Sequence, residues 1–306
     1  MYAARMARLL IIANPAASGF TGAALRTVTA ALSAAYEVDT DWPTSAEGSR
    51  QAAAEAAAAG YDVVAAMGGD GVAHQVANGL VHTDTALALL PAGTTNVLAR
   101  IIGQPTRPSK AAASILESRA TSMTLAHVTD GERSDHALFA LGVGFDADMV
   151  RESEKRPLSK GKIGSLHYVR SAISVAIRDY RAKPANLIAT CDGDTFHAVT
   201  VLVQVHDTYT YFGPVAFTLT KDVSDGPVAM ATSELPVTRA IAIAGTAALR
   251  RDLTKRAGVR LWSGFKKLIL EADPAARLQA DGDLLGIGEY FEITPAPDVL
   301  KMMLPT

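Results

Sequence analysis

The segment Met67-Gly68-Gly69-Asp70-Gly71-Val72 constrains this chain more than any other. A short apolar run with two valines, Tyr61 to Met67, leads into it and reads as a buried parallel strand. Behind it, Val72, Val76 and Leu80 fall at i, i+4 and i+8, the spacing of a helix. Glycines between a strand and a helix let the backbone bend tightly and approach a ligand. The N–H groups at the helix start then face an anion. Asp70 repels phosphate directly, so its functional reading is a group that meets Mg²⁺ on bound phosphates. The simpler reading is a tight turn in which Asp70 caps the helix.

A second apolar strand, Ala86 to Leu90, ends in Pro91-Ala92-Gly93-Thr94-Thr95-Asn96 and is followed by a predicted helix from Val97 to Ile102. Two strands that each end in a small polar loop form a ligand crevice in an open α/β sheet. The chain opens in the same style. A strand from Leu9 to Ala13 runs into Asn14-Pro15-Ala16-Ala17-Ser18-Gly19, and Leu25, Val28, Leu32 and Tyr36 then mark a helix from Thr21 to Tyr36. Val38 to Trp42 is the second expected strand, and Thr44-Ser45-Ala46-Glu47 fits a capping box. The alanine-rich run Gln51 to Ala59 is a helix closed by Gly60. A further helix is expected from Ser109 to Ser118, capped by Ser109.

Beyond residue 120 the texture changes. Met123 to Val128, Ala137 to Leu141, Asn186 to Thr190, Ala198 to Val205 and Val215 to Leu219 are short runs separated by turn signals such as Asp130-Gly131 and Asp192-Gly193. One helix, Ser165 to Tyr180, interrupts them, preceded by the basic loop Lys155 to Lys162. The expected architecture is an α/β nucleotide-binding domain over residues 1–125 followed by an all-β, sandwich-like domain over residues 126–290.

With 306 residues, 49% hydrophobic and 20% charged, the chain is long enough for two modest domains with real cores. A net charge of −2 gives no basic field for nucleic acid. The single cysteine, Cys191, excludes an internal disulfide framework and points to a reducing cytoplasm. No stretch approaches the roughly 20 apolar residues that span a bilayer, so the expected membrane contact is peripheral. A homodimer is compatible with the sequence.

Gly68-Gly69-Asp70-Gly71, then Gly93-Thr94-Thr95-Asn96 with Leu98-Ala99-Arg100, resembles the diacylglycerol kinase catalytic domain, whose family includes sphingosine kinases and bacterial lipid kinases. The resemblance implies an NAD kinase/diacylglycerol kinase-like fold, with the segment 291–306 returning to the first domain. It implies ATP and Mg²⁺ as cofactors, a lipid alcohol (diacylglycerol first) as acceptor, and a place in phospholipid metabolism at the inner face of the membrane. ATP contacts carry over to Asn14, Pro15, Ser18, the two glycine loops and, on the adenine side, Thr44.

Ala280-Asp281-Gly282-Asp283 stands where the family has Asp-Gly-Glu, which makes Asp283 the proton acceptor and gives Asp281 a supporting role. Read by itself, Asp281-Gly282-Asp283 is a hairpin turn. Asp225, in Lys221-Asp222-Val223-Ser224-Asp225-Gly226, matches a region that holds a structural Mg²⁺ in some bacterial members, and it also reads as a plain turn. Leu141-Gly142-Val143-Gly144-Phe145-Asp146 resembles the family's Gly-x-Gly-x-Asp segment, expected at the cleft edge. Val72 stands where threonine is usual, and Asp283 where glutamate is usual. Two alternatives therefore stay open, an NAD kinase-like enzyme and a non-catalytic lipid- or nucleotide-binding homologue.

Overall fold

The computed structural model describes residues 5–154, 179–180 and 182–306. The basic loop Lys155–Lys162 and almost all of the predicted helix Ser165–Tyr180 lie outside them. The chain divides into two compact units: residues 1–124 with 297–306, and residues 125–296.

The first unit alternates strand and helix: β1 Ala7–Ala13, α1 Gly22–Leu32, β2 Tyr36–Asp41, α2 Ala46–Ala58, β3 Val63–Gly68, α3 Asp70–Leu80, β4 Ala86–Pro91, α4 Val97–Ile101 and α5 Pro108–Glu117. The strands pair in parallel in the order β2-β1-β3-β4, with Ile11 beside Ala65 and Ala65 beside Ala88. Every residue of β3 and β4 is buried, as expected of strands covered on both faces. β2 is an edge strand with alternating and then open exposure, and its charged Glu37, Asp39 and Asp41 discourage further pairing. Leu9, Ile11, Met67, Leu90, Val28, Leu32 and Ile115 form the core.

Several boundaries move from their predicted places. α1 stops at Leu32, and Tyr36 opens β2. Ser45, not Thr44, caps α2 by accepting from Gly48 N–H at 3.0 Å, so the alanine helix starts at Ala46. α5 starts at Pro108, whose fixed φ suits a first helical turn, and Ser109 is already inside it.

The second unit is mainly antiparallel: β5 Arg119–Thr129 (its first residues belong to the first unit), β6 Ser134–Ala137, β7 Ala140–Gly144, α6 Phe145–Glu154, β8 Leu187–Cys191, β9 Asp194–Ala198, β10 Thr200–Gln204, β11 Thr210–Phe212, β12 Val215–Phe217, β13 Val228–Thr232, α7 Val237–Ala248, β14 Val259–Ser263, β15 Leu268–Ala280 and β16 Asp283–Leu304. Strand order is β14-β13-β10-β7-β15-β16. The long β15 pairs with β8 over its first residues and with β7 over its last, after a register shift between Glu271 and Ala276. Two sets of strands thereby share one core, which includes Leu141, Val143, Ala189, Val201, Leu268 and Phe291. The unit is β-rich but not all-β, because α6 and α7 belong to it. The predicted strand Ala137–Leu141 is broken at Leu138 and Phe139, whose N–H groups bond to a side chain instead of a neighbouring strand. β16 passes from the second unit into the first, where Lys301 and Met302 pair in parallel with Ala86 and Leu87 of β4.

Candidate active site

Three loops meet at the C-terminal ends of β1, β3 and β4. Asn14 N–H donates to Met67 O at 3.0 Å, and Gly19 N–H to Ala92 O at 2.7 Å. Ala92 and Gly93 N–H both donate to Gly68 O, at 2.7 and 3.1 Å. The hydroxyls of Ser18 and Thr94 lie 3.0 Å apart. The backbones of the two glycine loops touch: a Cβ on Gly93 would sit 2.5 Å from Gly69 Cα. Asn96 adopts the left-handed conformation (φ 49°) and closes its loop on itself, accepting from Gly93 N–H at 3.0 Å and donating to Gly93 O at 2.9 Å. Asn14 does likewise, accepting from Ala16 N–H at 2.9 Å.

Asp70 is the first residue of α3, behind Gly69, which has no side chain to cap that helix. The Asp70 carboxylate turns to another helix. It accepts from Val97 N–H at 2.9 Å and Leu98 N–H at 3.1 Å, the first two residues of α4. Asn96 offers α4 no side-chain cap, so Asp70 supplies the negative group that a helix start favours. The reading of Asp70 as a cap of its own helix is thus corrected, since the capped helix is the next one. The α3 start keeps glycine at its N-cap and Gly71 in its first turn, a setting suited to an anion. Among the described residues, no group of three or more His, Cys, Asp or Glu side chains converges on a metal position.

In the second unit, Asp281 and Gly282 form the turn between β15 and β16, both at positive φ (54° and 93°), with Ala280 paired to Asp283. Asp281 is 5% exposed. Its carboxylate accepts from Leu138 N–H at 2.7 Å, Phe139 N–H at 2.9 Å and Ala140 N–H at 3.0 Å, and its own N–H donates to Ala140 O. This is an anchor that ties the turn to the broken strand before β7. Gln279 holds the other side, its Oε1 accepting from Gly282 N–H at 2.9 Å. Gln279 Nε2 and the Tyr209 hydroxyl both donate to Asp146 Oδ2 at 2.6 Å. Burial pushes the Asp146 carboxyl above its ordinary range, and the two donors partly offset that. A Cβ on Gly142 would overlap Asp146, which explains glycine at that place in the Gly-x-Gly-x-Asp segment. Asp283 is half-buried at the head of β16.

The remaining predicted residues are more scattered. Pro15 and Thr44 are exposed, Thr44 just ahead of the α2 cap, and Thr95 is half-buried in its loop. Asp225 is exposed on a turn closed by Gly226 N–H donating to Val223 O at 3.0 Å. Gln279 and Tyr209 were not foreseen. Tyr209 lies in the aromatic stretch His206 to Phe212, whose rings read as sandwich packing ahead of a lipid pocket, and nothing in the sequence near Gln279 marks it.

Residues 8–128 match the family model described as the diacylglycerol kinase catalytic domain. The diacylglycerol kinase of Mycobacterium tuberculosis is 29% identical over 269 residues, 85% of this chain and 82% of that protein. The diacylglycerol kinase of Bacillus subtilis is 43% identical, but over a stretch that spans only 24% of each chain. Among solved structures, a diacylglycerol kinase from Bacillus anthracis superposes with a TM-score of 0.70 at 18% identity, covering 97% of this chain and 96% of the other. An NAD kinase from Archaeoglobus fulgidus, solved in complex with ATP, gives 0.55 at 12% identity over 97% and 94%. The fold is thus that of the diacylglycerol kinase and NAD kinase group. No helix among the described residues is long and apolar enough to cross a membrane.

Proposed function

With a diacylglycerol kinase catalytic domain matched over residues 8–128, we propose that the chain is an ATP-dependent lipid kinase that transfers the γ-phosphoryl group to the hydroxyl of diacylglycerol. The observation that carries this reading is the mutual locking of three loops at the C-terminal ends of β1, β3 and β4. Phosphoryl transfer is achieved mainly by positioning and charge stabilisation, so a rigid cradle of glycine backbone is the part it needs most.

In this proposal the α3 start, with Gly68, Gly69 and Gly71, faces the phosphates, and Gly93 to Asn96 with Ser18 line the same cradle. ATP of the neighbouring NAD kinase supports the choice of nucleotide. Asp70 fits Mg²⁺ as the carboxylate of this cradle, because magnesium is usually held by one or two carboxylates together with substrate phosphates. When bound, Mg²⁺ neutralises charge on the transferring group. Asp283 accepts the proton of the lipid hydroxyl as its oxygen bonds to the γ-phosphorus and ADP leaves. Asp281, Gln279 and the Asp146–Tyr209 pair hold the Asp283 turn in shape. Asp225 is a turn residue whose proposed structural metal remains secondary to this scheme.

The lipid acceptor is favoured over NAD by the Asn96-Val97-Leu98-Ala99-Arg100 run and by the curated relatives, which are named as diacylglycerol kinases. The protein is expected to work from the cytoplasm at the inner membrane face. Incubation with γ-labelled ATP and, in parallel, dispersed diacylglycerol, a lipid extract and NAD tests the proposal. Label in phosphatidic acid is the expected result. Label in NADP, or in no product, overturns it.

A further inference from the structure

Helix α7 is apolar on both of its sides. Its sequence, Val237 to Ala248, contains one charged residue, Arg239, and that guanidinium is paired with Glu234 at 2.7 Å. Ile243, Thr246 and Ala247 face the protein interior. Thr238, Ile241, Ala244, Gly245 and Leu249 recur at helical spacing on the opposite side, and all are exposed. Ile241 is 62% and Leu249 64% exposed, the two largest values among the big apolar side chains of the described residues. β12 packs against α7 and carries a further exposed apolar side chain, Val215, at 44%. A helix that is hydrophobic all round belongs in an interior, yet half of this one is open. Such a patch marks a docking surface.

The charges around it indicate what docks. Arg250, Arg251, Lys255 and Arg256 follow the helix within a few residues, all exposed. Asp252, the one acidic residue of that stretch, accepts from Thr254 N–H at 2.9 Å and lies 3.9 Å from Lys255 Nζ, and Arg256 Nε donates to Thr246 Oγ1 at 2.8 Å, so the four cations and one acid leave the stretch strongly basic, with Arg250 and Arg251 next to the open face. An uncharged apolar strip bordered by this basic stretch matches a layer that is apolar beneath a sheet of phosphate. We propose that the open face of α7, with residues 249–256, is the surface by which this protein settles on an anionic phospholipid membrane. The inference rests on the lipid-kinase reading, for which it names the point of membrane contact.

Co-sedimentation with vesicles of phosphatidylglycerol and phosphatidylcholine, without ATP, reads docking separately from turnover. The wild type is expected to bind the anionic vesicles, to release as salt rises, and to leave pure phosphatidylcholine in solution. Ile241→Asp with Leu249→Asp should lower binding at least about tenfold, and the milder serine pair should fall between. Arg250→Gln with Arg251→Gln should weaken binding several-fold and flatten its salt dependence. Both side chains of the first pair are exposed, so thermal unfolding should not move, and phosphorylation of a monomerically dispersed short-chain diacylglycerol should match wild type. Wild-type protein that ignores anionic vesicles, or an aspartate pair that binds as wild type does, overturns the proposal. A dimer that the aspartate pair dissociates while vesicle binding persists also overturns it, and makes this face a contact between copies. Loss of every lipid phosphorylation with docking intact would refute the kinase reading alone.

Discussion

The carboxylate of Asp70 accepts the N–H of Val97 at 2.9 Å, and through this bond the first glycine loop fixes the helix that follows the second. One acidic side chain thereby joins two loops proposed to cradle the same phosphates. The two N–H groups at the start of α4 orient that carboxylate before any ligand arrives.

Asp70→Asn tests both aspects of that residue. An amide keeps one accepting oxygen and turns an N–H₂ donor toward a helix start already made of donors. Unfolding in urea should show a loss of about 1.5–3 kcal/mol, the range for a hydrogen bond to a charged group. Turnover at saturating Mg²⁺ should fall by at least about a hundredfold, ~2.7 kcal/mol of transition-state stabilisation. A variant that loses stability but keeps its turnover would reduce Asp70 to a cap.

Gly93→Ala addresses the packing of the two loops. The new Cβ would lie 2.5 Å from Gly69 Cα and 2.9 Å from Asn96 Oδ1, and the first of these is backbone. One loop must move, so KM for ATP should rise by about tenfold or more, ~1.4 kcal/mol. Gly22→Ala, in the first turn of α1 and 3.6 Å from a flexible arginine tip, should leave KM unchanged. Steady-state kinetics over a range of ATP concentrations measures both.

What the sequence makes legible here is local. β3 and β4 stand out because a strand buried on both faces is written as an unbroken apolar run, and the loops behind them because glycine and asparagine mark sharp turns. The partners of the acidic residues do not stand out. Asp70 reaches N–H groups 27 and 28 residues away, and Asp281 reaches one 142 residues away, distances that only the fold closes. The break in the predicted Ala137–Leu141 strand has the same cause, since its β-forming residues hide a carboxylate supplied from β15's end. α7 is not legible in the sequence because its alternating Ile-Ala-Ile-Ala pattern suits a strand as well as a helix.

Asp281→Asn should affect stability first. The carboxylate serves three backbone N–H groups in a buried turn, and the amide can serve at most part of that set. A cost of about 2–4 kcal/mol is expected, read as a lowered urea midpoint with little change in slope. A loss below about 0.5 kcal/mol would show that the anchor is not needed for folding.

The buried Asp146 carboxyl gives a pH signature. Its folded pKa lies above the ordinary 3.8 because burial penalises the charged form. Its contribution to stability is therefore fullest below that ordinary value and is lost as pH rises through the folded one. Asp146→Asn keeps the oxygen that Tyr209 and Gln279 address and does not titrate. The variant should gain stability relative to wild type as pH rises from about 4 to about 8. A difference that stays flat across urea melts in that range would mean that the carboxyl is not held in a desolvated site.

Asp283 carries the sharpest test. Its turn is fixed on three sides: Asp281 is bonded to Leu138, Phe139 and Ala140, Gly282 is held by Gln279, and Ala280 is paired to Asp283 across the hairpin. Asp283→Asn preserves shape and removes basicity, so kcat should fall by about 10²–10⁴, the usual cost of a missing general base, with KM for ATP nearly constant. Stability should change by less than in Asp281→Asn, because Asp283 is half-buried and Asp281 is enclosed. Asp283→Glu should retain far more activity than Asp283→Asn, as it restores a carboxylate one methylene longer. Single-turnover assays with diacylglycerol, run beside urea melts of all three proteins, separate the base from the anchor. Full activity in Asp283→Asn would move the proton acceptor to another residue and leave the hairpin with a purely structural role.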